Sequence, residues 1–160
     1  MRTVRSEEEG PRAHRLAVGV GLLAMVMVVS RVGVAQTLKV SGSPTAMKIT
    51  TAVAGAAPTA ATNAVTTYTV KTLLGAKKIT AQLNSNMPAG MTLQVQFAAV
   101  PGATSAGVVA LSTTALAVVN NITNIINKTA SITYTVSATP AAGVVASTTR
   151  RVTLTLAAFP

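Results

Sequence analysis

Cysteine and tryptophan are absent from the 160 residues, the aromatic side chains are Tyr68, Tyr134, Phe97 and Phe159, the only histidine is His14, and the only carboxylate side chains are Glu7, Glu8 and Glu9. Without cysteine no disulfide can form, and thiolate ligands and thiolate nucleophiles are excluded. Against these scarcities stand 13 Lys and Arg and a formal charge of +10. The length bounds the chain to one domain or two very small ones.

Where the charges lie matters more than their sum. An export signal needs a basic start, an apolar stretch of roughly 7–15 residues and small residues before the cut. Arg2, Arg5, Arg12 and Arg15 supply the start, residues 16–29 form an uncharged apolar run, and Gly33-Val34-Ala35 offers small residues before Gln36. The pattern predicts a cleavable signal peptide over residues 1–35 and a single domain over 36–160, with no membrane span after cleavage. The apolar run is shorter than the ~20 residues that cross a bilayer as a helix. A lipid anchor lacks its cysteine, and no Arg-Arg pair precedes the apolar run. The expected location is secreted, extracellular or at the cell surface, or periplasmic.

Cleavage after Ala35 leaves 125 residues, enough for one hydrophobic core. Their charged side chains are Lys39, Lys48, Lys71, Lys77, Lys78, Lys128, Arg150 and Arg151, with no acidic partner. Side-chain salt bridges are impossible there, so stability must come from apolar burial and backbone pairing.

Threonine occurs 24 times in residues 36–160, and valine 14 times. Both are stiff at Cβ and favour the pleated strand. Period-two alternation marks half-buried strands in four places. Ile79, Ala81 and Leu83 alternate with polar residues, as do Leu93, Val95 and Phe97, then Ile132, Tyr134, Val136 and Ala138, then Val152, Leu154 and Leu156. Further strands are expected at residues 37–41, 47–53, 66–73, 108–112 and 117–122. Turn signals separate them at Gly42-Ser43-Pro44, residues 55–58, Gly75, Met87-Pro88-Ala89-Gly90, Pro101-Gly102 and residues 140–143. Residues 115–127 carry apolar positions near helical spacing, but Asn120, Asn121, Asn124 and Asn127 break that face, so a strand followed by a loop is expected. Pro58 and its neighbours predict an extended loop over residues 52–64. Seven to nine short strands with this punctuation predict an all-β fold, an antiparallel immunoglobulin-like β-sandwich. An outer-membrane barrel would share the alternation, but it requires aromatic girdles that four aromatic residues cannot supply.

General acid–base catalysis draws on His, Asp, Glu, Lys, Tyr or Cys, and after cleavage only Lys and Tyr remain. No Ser-x-x-Lys arrangement follows residue 35, and the glycine-rich nucleotide-binding motifs are missing. No catalytic, cofactor-binding or metal site is expected. The doublets Lys77-Lys78 and Arg150-Arg151 are candidate contacts for polyanions, although the cations are sparse and few aromatics are interleaved to stack on bases or sugars. No specific nucleic-acid partner is implied. Asn121-Ile122-Thr123 and Asn127-Lys128-Thr129 match the N-glycosylation triplet and fall in the expected loop.

Residues 131–156 have a distinctive layout: Ile132-Thr133-Tyr134-Thr135-Val136-Ser137-Ala138, the turn Pro140-Ala141-Ala142-Gly143, then Arg151-Val152-Thr153-Leu154-Thr155-Leu156. This resembles the closing hairpin of small exported bacterial immunoglobulin-like or pilin-like β-sandwich domains, of the kind found in fimbrial subunits and spore-coat-U-like proteins. The resemblance implies a structural or adhesive surface role, with a homo-oligomer or fibre built by exchange or addition of a strand. Thr37, Leu38, Lys39, Val40 and Ser41, next to the new N-terminus, form the candidate exchanged strand. The alternative expectation is a secreted binding module for acidic envelope polymers: polysaccharide, lipopolysaccharide or extracellular DNA. Neither expectation involves an enzyme or a cofactor.

Composition alone sets a pH dependence. Between a C-terminal carboxylate at roughly pH 3.5 and an α-amine at roughly 7.8, residues 36–160 hold no titratable side chain. Neither the folded nor the unfolded exported chain then exchanges protons between about pH 5 and 7, so stability is flat across that window. Thermal melts of the exported protein should give one Tm there; a steady drift of many degrees would mean that His14 and Glu7 to Glu9 are retained.

Overall fold

The computed structural model describes residues 36–49, 56–142 and 145–160. The expected signal peptide lies outside these residues, as do positions 50–53 of the expected strand 47–53, residues 52–55 of the expected loop 52–64, and Gly55 and Gly143 of two expected turns. The described residues form nine strands: β1 (Thr37–Ser41), β2 (Ala61–Thr72), β3 (Lys77–Leu83), β4 (Met91–Phe97), β5 (Thr104–Ser105), β6 (Val108–Ala110), β7 (Leu116–Ile122), β8 (Ile125–Ala138) and β9 (Val152–Ala158). A single 3-10 turn spans Pro140–Ala142. Among the described residues no helix is long and apolar enough to cross a membrane.

The strands form two antiparallel sheets, one ordered β1-β2-β8-β4-β6 and the other β5-β7-β3-β9. The alternation read from sequence decides which face of each strand is buried. Ile79, Ala81 and Leu83 of β3 meet Leu93, Val95 and Phe97 of β4 and Ile132, Tyr134 and Val136 of β8 in one core. Fully burying a side chain of this size contributes about 1.5–3 kcal/mol. On β9 the inward set, Val152, Leu154 and Leu156, is only half-buried, because that strand closes an edge of its sheet.

Several expectations are corrected. Met47, Lys48 and Ile49 are not in a strand. Ala61 to Ala64, expected in a loop, begin β2, and Ala61, Thr62 and Asn63 pair with β8. The expected closing hairpin does not exist: β8 pairs with β2 and β4, β9 pairs with β3, and the two lie in different sheets. The segment after residue 122 is not a loop either, since β8 starts at Ile125.

The asparagines explain that last difference. Asn121, Asn124 and Asn127 have φ of 53°, 48° and 48°, a left-handed conformation that asparagine tolerates better than most residues. Between Lys77↔Ile122 and Ile79↔Val119, β7 carries one residue more than β3, and between Val70↔Lys128 and Thr72↔Ile125, β8 carries one more than β2. Asn121 and Asn127 therefore sit within β-bulges, and Asn124 lies in the two-residue link between them. The three bends carry the chain from one sheet to the other without an intervening loop. Both glycosylation triplets accordingly begin inside strands.

Tyr68 anchors the core of β2. It is fully buried, its ring lies 5.4 Å from that of Phe97 at 54°, and its hydroxyl donates to the Ala98 carbonyl at 2.7 Å. Burial pushes its pKa up to about 12, partly offset by the Val100 backbone amide, and burial also raises that of Tyr134. In the unfolded chain both ionise near 10. A phenol whose folded pKa is raised contributes stability below the unfolded value, and that contribution is lost as pH climbs from about 10 towards 12. An alkaline titration by circular dichroism should show stability falling over this range, and Tyr68→Phe should flatten part of the fall.

Candidate functional site

Antiparallel pairing of β3 with β9 places the two cationic doublets. Lys77 and Lys78 pair with Ala158 and Ala157, whereas Leu83 at the far end of β3 pairs with Val152, next to Arg151. The doublets therefore lie at opposite ends of one strand, about 20 Å apart at the strand rise. They do not form one cluster.

Arg150 and Arg151 are fixed by a turn on which sequence reasoning placed no function. The Arg150 Nε donates to the Asn86 carbonyl at 2.9 Å and Nη1 to the Thr149 carbonyl at 3.0 Å. The Arg151 amide donates to the Asn84 side chain at 2.8 Å, and the Asn84 amide donates to the Arg151 carbonyl at 3.0 Å. The turn expected between β3 and β4 was Met87-Pro88-Ala89-Gly90; Asn84 and Asn86 precede it, and their partners, more than sixty residues away in the chain, leave no local signal.

The five residues of the candidate exchanged strand are β1, an edge strand paired with β2 from Thr37↔Lys71 to Ser41↔Thr67. Gly42 ends it with a φ of 75°, and a Cβ there would lie 2.6 Å from the Val65 carbonyl oxygen, so the chain leaves β2 at a point that only glycine fits. Opposite β1, across the sandwich, runs β9, the edge of the other sheet. Leu38 and Val40 of β1 face Val152, Leu154 and Leu156 of β9 across a groove of about 390 Å³ floored by Tyr134. Val40 is half exposed, so this side of the sandwich is not sealed.

A larger cavity, about 1290 Å³, opens between the sheets and the long connections. Met47, Ile49, Met87, Met91, Leu93 and Val136 give it an apolar lining, and Lys48, Arg150 and Arg151 also border it. Thr66 forms part of its wall. That residue is 1% exposed, and its hydroxyl has no hydrogen-bond partner among the described residues, unlike the buried Thr72, whose hydroxyl donates to the Ile122 carbonyl.

An unsatisfied buried hydroxyl costs about 1–3 kcal/mol. Thr66→Val keeps the branched shape and the strand preference and removes the orphan group. It should raise stability by about 1 kcal/mol, seen as a Tm increase of a few degrees; a fall would reveal a partner for the hydroxyl.

No protein-family model matches the chain, and comparison with curated proteins and with solved structures finds no match either.

Proposed function

We propose that this chain is an exported, non-enzymatic structural or adhesive component of a bacterial cell surface, an immunoglobulin-like or pilin-like sandwich whose copies add to one another strand to strand. The observation that carries the reading is the asymmetry of the sheet edges. On one side the edges are β5 and β6, two and three residues long, too short to template another strand. On the other they are β1 and β9, five and seven residues long. Exposed edges are ordinarily blunted by charge, proline or shortness. Strand β9 has neither charge nor proline, and β1 has Lys39 alone. Between them the half-exposed apolar groove offers pockets for alternate side chains, the feature that gives strand addition its specificity. Residues 36–160 hold no Asp, Glu, His or Cys, which supports a role without catalysis.

Binding of acidic envelope polymers remains the other reading, but a polymer would have to span both ends of β3 to engage all four doublet cations.

Lysines at the exposed positions Thr153 and Thr155 leave the inner face of β9 intact and place charge on its open edge. The wild-type exported protein should form concentration-dependent assemblies by light scattering and electron microscopy. T153K/T155K should stay monomeric with an unchanged melt, and deletion of residues 36–41 should also abolish assembly. A wild-type protein that stays monomeric at high concentration, or assemblies indifferent to both changes, would refute strand addition.

A further inference from the structure

The large cavity adjoins the β1–β9 groove, with Val40, Tyr134 and Val152 bordering both, but its chemistry points to a different occupant. Its volume of about 1290 Å³ exceeds the roughly 300–1,000 Å³ of most small-molecule sites. Apolar side chains make up more of the lining than polar ones, and three of them, Met47, Met87 and Met91, are methionines, whose unbranched side chains adapt to a flexible chain. Its charged members, Lys48, Arg150 and Arg151, are all cationic, and residues 36–160 contain no carboxylate side chain to neutralise them. Arg150 is already oriented by its bonds to the Asn86 and Thr149 carbonyls through Nε and Nη1, which leaves Nη2 available for an anion.

We infer that this cavity binds a single-chain anionic amphiphile, a fatty carboxylate taken singly from solution, with its alkyl chain among Met47, Met87, Met91 and Leu93 and its head at Lys48, Arg150 and Arg151. The connections 42–49 and 145–151 wall the cavity together with Leu93, Tyr134 and Val136 of the sheet, so it is a walled crevice that suits one molecule more than a bilayer surface. The cations supply the head-group preference and the apolar walls supply a dependence on chain length.

The test is calorimetric titration of the full chain with sodium octanoate, decanoate and dodecanoate, each below its micelle concentration at pH 7. Saturable one-to-one binding is expected, tightening by roughly fourfold per methylene, the fold-change that burying one CH₂ implies. Dodecyltrimethylammonium, with the same tail and the opposite charge, should bind at least tenfold more weakly. K48Q/R150Q/R151Q should erase that preference, with the fold retained and only a small drop in Tm from the lost Arg150 bonds, K48Q/R151Q should reduce it with no such drop, and M87W/M91W should weaken both amphiphiles by filling the cavity. Absence of saturable dodecanoate binding, equal affinity for the cationic amphiphile, or affinity independent of chain length would each overturn the inference. So would co-sedimentation with phosphatidylglycerol vesicles in the absence of binding to monomeric dodecanoate. Light scattering on the same samples keeps the outcome separate from strand addition, since a monomeric protein can bind the carboxylate and an assembling one can fail to.

Discussion

The pairing of β2 with β8 is the interaction on which the rest of the sandwich depends. Strand β8 runs between β2 and β4, so it holds together the sheet in which both Tyr68 and Phe97 are buried. Its pairing must be specified without ionic help, because residues 36–160 carry cations only. The outer face offers little register information: Thr69 opposes Thr129, their hydroxyls 2.7 Å apart, and Thr62 opposes Thr135. A threonine ladder looks much the same after a slip of two residues. What fixes the register is the inner face, where a slip of one residue would expose Tyr68, Val70 and Ile132 together, and the bulges, which admit the strands in only one alignment.

This division explains what was legible in the sequence. Alternation reports which residues of a strand face inward, and for β3, β4 and the second half of β8 that reading agrees with the buried residues observed. It reports nothing about partners. Residues 132–138 and 151–156 look like two arms of a hairpin because they are adjacent in sequence and similarly patterned, yet they belong to different sheets. The asparagines misled for a related reason. They break the apolar helical face and so pointed to a loop, but their tolerance of left-handed backbone serves bulges within strands, and composition cannot separate the two.

The candidate surfaces were less legible than the fold. Lys77-Lys78 and Arg150-Arg151 were visible as doublets, but their separation follows from the β3–β9 register, a long-range fact. The large cavity left no local trace, since its walls come from segments remote in the chain, among them residues 42–49, Thr66, 87–93, 134–140 and 145–152. Thr66 is similar. In a threonine-rich strand nothing distinguishes the one hydroxyl that is buried without a partner from Thr69, whose hydroxyl meets another threonine at the surface.

The one-signed charge also constrains how such a molecule can meet others. Two copies of residues 36–160 carry like charges and repel, so contact between them cannot draw on electrostatic complementarity. It has to come from backbone pairing and apolar surface, and β1 and β9 are where both are exposed together. Added salt screens the repulsion and therefore favours association between copies. The same salt weakens any contact between these cations and an anion, whether a polymer along β3 or a carboxylate at Arg150. Self-assembly and anion binding thus respond to ionic strength with opposite sign, a consequence of a domain that keeps its cations and has no acids.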